Sequence, residues 1–182
     1  MKSSDILTSG RSQENYPVLF TTTLIQPEIP QNTGNIGRTC VSSRSFLEIV
    51  GPTGFKITDS NLKRAGLDYW KNLNWQYFEN RESWVEKISN PERTFYFSAK
   101  SERLFFDVEF QIGDRFVFGQ ETLGLPDDMM QQNAERVLQL PILGPVRGLN
   151  VATAVAVVHC EAIRQFRNQG RLSPQDFRIY RD

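Results

Sequence analysis

Apolar residues fall into short runs separated by turn-forming residues, and the runs switch between a strand period and a helix period along the chain. Residues 17–25 (PVLFTTTLI) are β-branched and aromatic and predict a strand. Residues 46–50 (FLEIV), closed by the turn Gly51-Pro52-Thr53-Gly54, predict a second. Strands are also expected at 75–78, weakly, and at 93–98 (RTFYFS), 115–118 (RFVF) and 137–140, where Pro141 stops the run. Helices are expected from Thr33 or Gly34 to about Ser45, from Asp59-Ser60 through Leu67, and over 80–88, with Ser83-x-x-Glu86 as a capping box. Pro126-Asp127-Asp128 opens another, with proline near the first turn and acids behind it. The longest helix is expected over 149–168, ending before Gly170. Its apolar arc (Val151, Ala154, Val155, Val157, Val158, Ala162, Ile163 and Phe166) exceeds what one sheet face requires. Either the helix is deeply buried, or it also packs on a partner subunit.

Strands alternating with helices predict an α/β domain, a mostly parallel sheet with helices on both faces. Residues 16–170 read as a single domain, 1–15 as a flexible leader rich in Ser, and 171–182 as a tail. Such sheets bind ligands beyond the carboxyl ends of their strands. The loops after Ile25, Ser98, Phe118 and Leu140 are therefore where chemistry is sought.

Composition narrows the classes. The chain has 182 residues, 39% hydrophobic, 23% charged and 12% aromatic, which excludes a disordered, collagen-like or disulfide-framework protein. No apolar run reaches the roughly 20 residues of a membrane helix, and the polar amino terminus has no signal-like apolar core. Cys40 and Cys160 form no C-x-x-C, so a reduced, cytoplasmic setting is the simplest expectation. Basic and acidic residues balance at 21 each, so a nucleic-acid partner would need a local basic patch. A single histidine, His159, rules out a multi-histidine metal site, and it is expected in the core or at an interface. Cys40 reads as a buried helix residue. Neither G-x-G-x-x-G, nor a P-loop, nor a G-x-S-x-G elbow occurs.

Three loops remain. The first is Pro30-Gln31-Asn32-Thr33-Gly34-Asn35-Ile36-Gly37-Arg38, with Asn32 at the mouth of a helix and Arg38 able to reach back to the same spot. The second is Phe118-Gly119-Gln120-Glu121-Thr122-Leu123-Gly124-Leu125-Pro126, where glycines allow close backbone approach and Glu121 can meet a cation or a hydroxyl. The third runs Leu140-Pro141-Ile142-Leu143-Gly144-Pro145-Val146-Arg147-Gly148-Leu149-Asn150 into a helix whose cap is Asn150 or a neighbour. Each alone also suits an ordinary turn or helix cap.

In this order and spacing, N-T-G-N-I-G-R, F-G-Q-E-T-L-G-L-P and L-P-I…V-R-G-L-N-V-A resemble the three motifs of the SPOUT superfamily of RNA 2′-O-ribose methyltransferases. Residues 26–35 and Leu62-Lys63-Arg64-Ala65-Gly66-Leu67-Asp68-Tyr69 look like the branch acting on the tRNA wobble nucleotide, the tRNA (cytidine/uridine-34-2′-O)-methyltransferases. The resemblance implies an α/β fold with a C-terminal deep trefoil knot, S-adenosylmethionine as cofactor with no metal, a homodimer built on the long C-terminal helix, and a tRNA anticodon loop as partner, with no membrane.

Carried over residue by residue, the resemblance puts Asn32, Arg38, Glu121 and Asn150 at catalytic positions. It puts Phe97, Gly119, Leu140 and Gly148 in cofactor-binding loops. Arg64, Tyr69 and Arg147 are RNA-binding candidates, Tyr69 as a surface on which a base could stack. Guanidinium holds its proton in proteins, so stabilising developing alkoxide charge suits arginine better than acting as a base. Two departures stand out: Gly148 where relatives usually have Ser, and Cys160 where they often have Tyr. The same chemistry on ribosomal RNA and a non-catalytic RNA-binding relative remain as alternatives.

Overall fold

The computed structural model describes residues 9–10, 17–57 and 68–177. Seven strands make one sheet: β1 (Ser9–Gly10), β2 (Phe20–Ile25), β3 (Ser45–Val50), β4 (Trp75–Phe78), β5 (Thr94–Phe97), β6 (Arg115–Phe118) and β7 (Val137–Leu138). Their spatial order is β1-β4-β3-β2-β6-β5-β7. Six are parallel, and β1 joins the β4 edge antiparallel. Ser9 and Gly10, within the stretch read as a leader, are thus paired to Gln76 and Trp75. The helices are α1 (Pro30–Ser42), α2 (Arg81–Val85), α3 (Asp127–Gln132) and α4 (Val151–Asn168).

Strand alternation sorts the core into two faces, as a period of two requires. Phe20, Leu24, Leu47, Ile49, Phe95, Phe97, Phe116 and Phe118 point to one face and meet residues of α1 and α4, among them Ile36, Cys40, Val155, Val158 and Phe166. Ile25, Val50, Phe78, Tyr96, Val117 and Val137 point to the other and meet Trp84 of α2 and Met129 of α3. Helices therefore cover both faces, as the strand–helix alternation predicts.

Each face buries a polar cluster. On the α1/α4 face, His159 sits between Thr22 Oγ1 (2.7 Å from Nε2) and Ser43 Oγ (2.8 Å from Nδ1), with Thr22 also 2.8 Å from Ser45. Burial holds the imidazole well below its usual range, at about 3. His159 is a core residue with both ring nitrogens engaged. Cys40 is buried beside it, and burial pushes its thiol up to about 12, which leaves it unreactive. On the opposite face, buried Glu48 accepts from Thr23 Oγ1 and Trp84 Nε1 (2.7 Å each) and pairs with both arms of Arg115 (3.0 and 3.1 Å).

Several element boundaries differ from the sequence expectation. Helix α1 starts three residues early, at Pro30, and ends at Ser42. Helix α2 starts after Asn80, whose side chain accepts from Ser83 N–H, so the cap is Asn80 and not the Ser83-x-x-Glu86 box. Strand β7 stops at Leu138. On α4, Val157 is 37% exposed, so the buried arc is narrower than the sequence implies. The helix expected over 59–67, and with it Lys63 and Arg64, lies outside the described residues.

Candidate functional site at the carboxyl edge of the sheet

β2 and β6 are neighbours, but the chain leaves them in opposite directions, β2 toward β3 and β6 past β5 to β7. That divergence is the switch point at which open α/β sheets bind ligands. Gln26, the first residue after β2, takes φ 51°, the left-handed region, and swings the chain into the loop 26–29. The loop after β6 folds back on itself, with Gln120 and Gly124 exchanging two backbone hydrogen bonds of 3.0 Å. Gly119 is required there, because a methyl at its α-carbon would fall 2.0 Å from the Gly124 carbonyl carbon. Gly124 itself has φ +73°. Both glycines are thus spent on shaping the loop.

The two loops brace each other in both directions. The Glu121 carboxylate accepts the backbone N–H groups of Glu28 (2.8 Å) and Ile29 (3.3 Å). The Glu28 carboxylate accepts the N–H (3.1 Å) and hydroxyl (2.8 and 3.0 Å) of Thr122. Gln120 Nε2 adds a bond of 3.1 Å to Gln26 Oε1. Helix α1 has no side-chain cap of its own, since Ile29 occupies that position. Glu121 supplies a carboxylate at the positive end of α1 instead, which both its charge and its acceptor oxygens suit. The carboxylate that the sequence offers to a cation or hydroxyl is therefore engaged in holding the start of α1.

Asn32 extends this brace to the third loop. Its Nδ2 donates to Glu121 Oε1 at 3.0 Å, and its Oδ1 accepts from Asn150 Nδ2 at 3.1 Å. Asn150 Oδ1 accepts from Ala152 and Thr153 N–H and caps α4. Glu121, Asn32 and Asn150 thus form one hydrogen-bonded chain joining all three motif loops, and both starting helices are fixed through it. Arg38 lies two turns further along α1, on its exposed side. Its guanidinium carbon sits 4.6 Å from the centroid of the Tyr69 ring.

The expected cofactor positions lie together at the adjacent ends of β6, β5 and β7. Phe97 pairs with Phe118 on one side and Leu138 on the other, which brings Gly119 and Leu140 to the same edge. Phe97 itself is buried, stacked on Phe118 at 4.9 Å, so only its backbone is presented. The loop after β5 is tied to the exit of β7 by bonds from Ser98 N–H to Leu138 O and from Gln139 N–H to Arg103 O. A methyl at Gly148 would meet only Ala99, at 3.7 Å, which places the third loop against the first turn after β5. Among the described residues, the one backbone hydrogen bond within 141–149 runs from Val146 to Gly144. The segment therefore offers unengaged backbone donors and acceptors beside apolar Leu140, Ile142 and Leu149, a set suited to the flat apolar faces and polar edges of an adenine. Arg147 is exposed on this loop, and Tyr69 faces α1; Arg64 is outside the described residues.

The chain belongs to the SpoU rRNA Methylase family, whose pattern matches residues 20–160. A Methylovorus glucosotrophus protein named tRNA (cytidine(34)-2′-O)-methyltransferase is 42% identical over 148 residues, 81% of this chain and 96% of that one. A Burkholderia cenocepacia protein of the same name is 38% identical over 155 residues, 84% of this chain and 99% of its own. A structure solved for insight into 2-OH methylation of C/U34 on tRNA superposes with a TM-score of 0.77 at 38% identity, covering 84% of this chain and 94% of that chain. The SpoU methyltransferase AviRb of Streptomyces viridochromogenes, in complex with AdoMet, shares the fold at a TM-score of 0.70 and 19% identity, over 91% of this chain and 63% of that one.

Proposed function

We propose that this chain transfers the methyl group of S-adenosylmethionine to the ribose 2′-oxygen of nucleotide 34, cytidine or uridine, in the anticodon loop of a tRNA. The observation that carries the reading is the Glu121–Asn32–Asn150 chain, which locks the helix bearing Arg38 against the loops of the cofactor edge. S-adenosylmethionine, when bound, supplies an already activated methyl group on a sulfonium. Gly119, Leu140 and Gly148, with the backbone at Phe97, would hold it at the ends of β5, β6 and β7.

The task left to the protein is alignment and charge. Holding the ribose oxygen about 3–3.5 Å from the methyl carbon, in line with the departing sulfur, can supply roughly 7–11 kcal/mol. Arg38 anchors the neighbouring phosphate and stabilises negative charge developing on the 2′-oxygen as the hydroxyl proton passes to water. Asn32, Glu121 and Asn150 act behind it by fixing the helix on which it stands. Arg147, exposed beside the third loop, adds a phosphate contact.

The reading includes a homodimer, a C-terminal trefoil knot and action in the cytoplasm. Support for the dimer is the exposed apolar set on α4 and the loops near it: Val157, Leu149, Val146 and Leu143, the last fully exposed. Support for the knot is the bonding of the loop after β5 alongside the exit of β7. No described helix is long and apolar enough to cross a membrane.

The test is methylation of an anticodon stem–loop with and without a 2′-hydroxyl at position 34. Incorporation that survives loss of that hydroxyl would move the activity to another nucleotide. Calorimetric titration with S-adenosylmethionine separates an enzyme from a non-catalytic relative, which would give no heat as a folded protein.

A further inference from the structure

We infer that Tyr69 is a positioning residue for Arg38 and does not serve as a surface for RNA bases; this rests on the role proposed above for Arg38. Tyr69 lies on the 3₁₀ helix Asp68–Asn72, between β3 and β4. The turn is pressed onto α1 by its neighbour Trp70. A methyl at Gly37 would lie 2.8 Å from Trp70 Cζ3, and the Trp70 ring meets Trp75 of β4 edge-on at 5.5 Å. The bare α-carbon of Gly37 is what lets this turn approach.

From that seat Tyr69 reaches α1 twice. Its hydroxyl donates to the Gly34 carbonyl, and its ring lies under the Arg38 guanidinium with the charge 4.6 Å from the centroid. Gly34 and Arg38 are four residues apart, one turn of the same helix face. The hydroxyl bond adds a second tie to the seat that Trp70 against Gly37 already gives the ring. A long exposed arginine has many rotamers, and the ring face favours those that keep the guanidinium over it. Two consequences follow: Arg38 is delivered partly ordered to the reacting oxygen, and one face of the ring is closed to a base.

The test combines steady-state kinetics with observation of Arg38 itself. In protein labelled with ¹⁵N-arginine, the Arg38 Nε–H resonance is expected upfield of exposed arginines through the ring current of Tyr69, and at their position in Tyr69→Leu. A wild-type resonance already at the exposed position overturns the inference. Tyr69→Leu is expected to lower kcat roughly 10- to 100-fold, with KM for tRNA and the cofactor Kd within about threefold. A raised KM at unchanged kcat would make the ring an RNA contact and overturn it. In an Arg38→Ala background, Tyr69→Leu should cost nothing further, whereas an undiminished second loss overturns the coupling. Tyr69→Phe keeps the ring and should retain the resonance shift and kcat within about threefold. This variant decides the matter if Tyr69→Leu does not fold, and its collapse to the Arg38→Ala level would move the role to the hydroxyl. Undiminished activity in Arg38→Ala alone would bring down the reading of Arg38 and this inference with it. A normal Tyr69→Leu beside an inactive Arg38→Ala overturns only the role of Tyr69.

Discussion

Asn150 donates its side-chain amide to the side-chain oxygen of Asn32 at 3.1 Å, across 118 residues of sequence. Neither amide can turn over. Flipping Asn32 would point its oxygen at the Glu121 carboxylate, and flipping Asn150 would point its amide at the N–H groups it caps. The pair is thus a rigid rivet between the starts of α1 and α4.

Asn150→Asp keeps an oxygen for the α4 cap and suits the helix dipole, but it faces Asn32 Oδ1 with a second acceptor. The thermal midpoint is expected to stay near wild type, while methyl transfer falls by about tenfold or more. Asn150→Ala also loses the cap and should cost about 1–2 kcal/mol in urea unfolding. Combined with Asn32→Ala, the losses should be non-additive by about 0.5–3 kcal/mol.

Glu121→Ala leaves two backbone N–H groups and the Asn32 amide without their acceptor. An unfolding free energy lower by about 1–3 kcal/mol is expected, together with reduced transfer. Glu121→Gln keeps one acceptor oxygen and should fall between. A fully active, fully stable Glu121→Ala would show that the brace is dispensable.

Burial lowers the pKa of His159 to about 3 in the fold, whereas the imidazole protonates near pH 6.5 once the chain unfolds. Below that pH the unfolded state binds the extra proton, so the stability of the native state is full above pH 6.5 and lost as pH falls toward 3. Between pH 7.5 and 5 the loss from this residue is about 2 kcal/mol. Urea titrations of wild type and His159→Gln at both pH values should show the steeper decline in wild type alone.

Gly148→Ser fits, because a β-carbon there meets only Ala99 at 3.7 Å. Its thermal midpoint is expected to be unchanged. If the restored hydroxyl reaches the cofactor as the family pattern implies, affinity should rise by up to about tenfold, the worth of one hydrogen bond. Calorimetry on both proteins reads this directly.

Most of the sheet is legible in the sequence, because runs such as FTTTLI and RFVF carry β-branched and aromatic residues between clear turn signals. The start of α1 is not, because the group completing it is Glu121, about ninety positions away and invisible to any local pattern. The cap of α2 fails for a nearer reason: Asn80 offers its oxygen three residues before Ser83. Asn32, Glu121 and Asn150 are legible as a set only through the family motifs, and their mutual bonding could not be read from spacing. The contact of Tyr69 with Arg38 leaves no trace in sequence, since the intervening strand and loop decide it. The partners of His159 are hidden in the same way: Thr22 and Ser43 look like ordinary strand and helix residues.

The strand order has a temporal consequence. When Phe97 leaves the ribosome, β2, β3, β4 and β5 have all been made, yet β5 has no neighbour among them, because β6 lies between β2 and β5. Strand β6, which joins the two parts of the sheet, is therefore a late insertion, and the nascent chain must hold the edge of β2 open until it arrives. Only then does residue 121 emerge to close the mouth of a helix synthesised long before. Assembly that waits on such distant pairings is slow, and an abbreviated transcript ending before β6 would yield a chain with an unguarded sheet edge and an unfinished first helix.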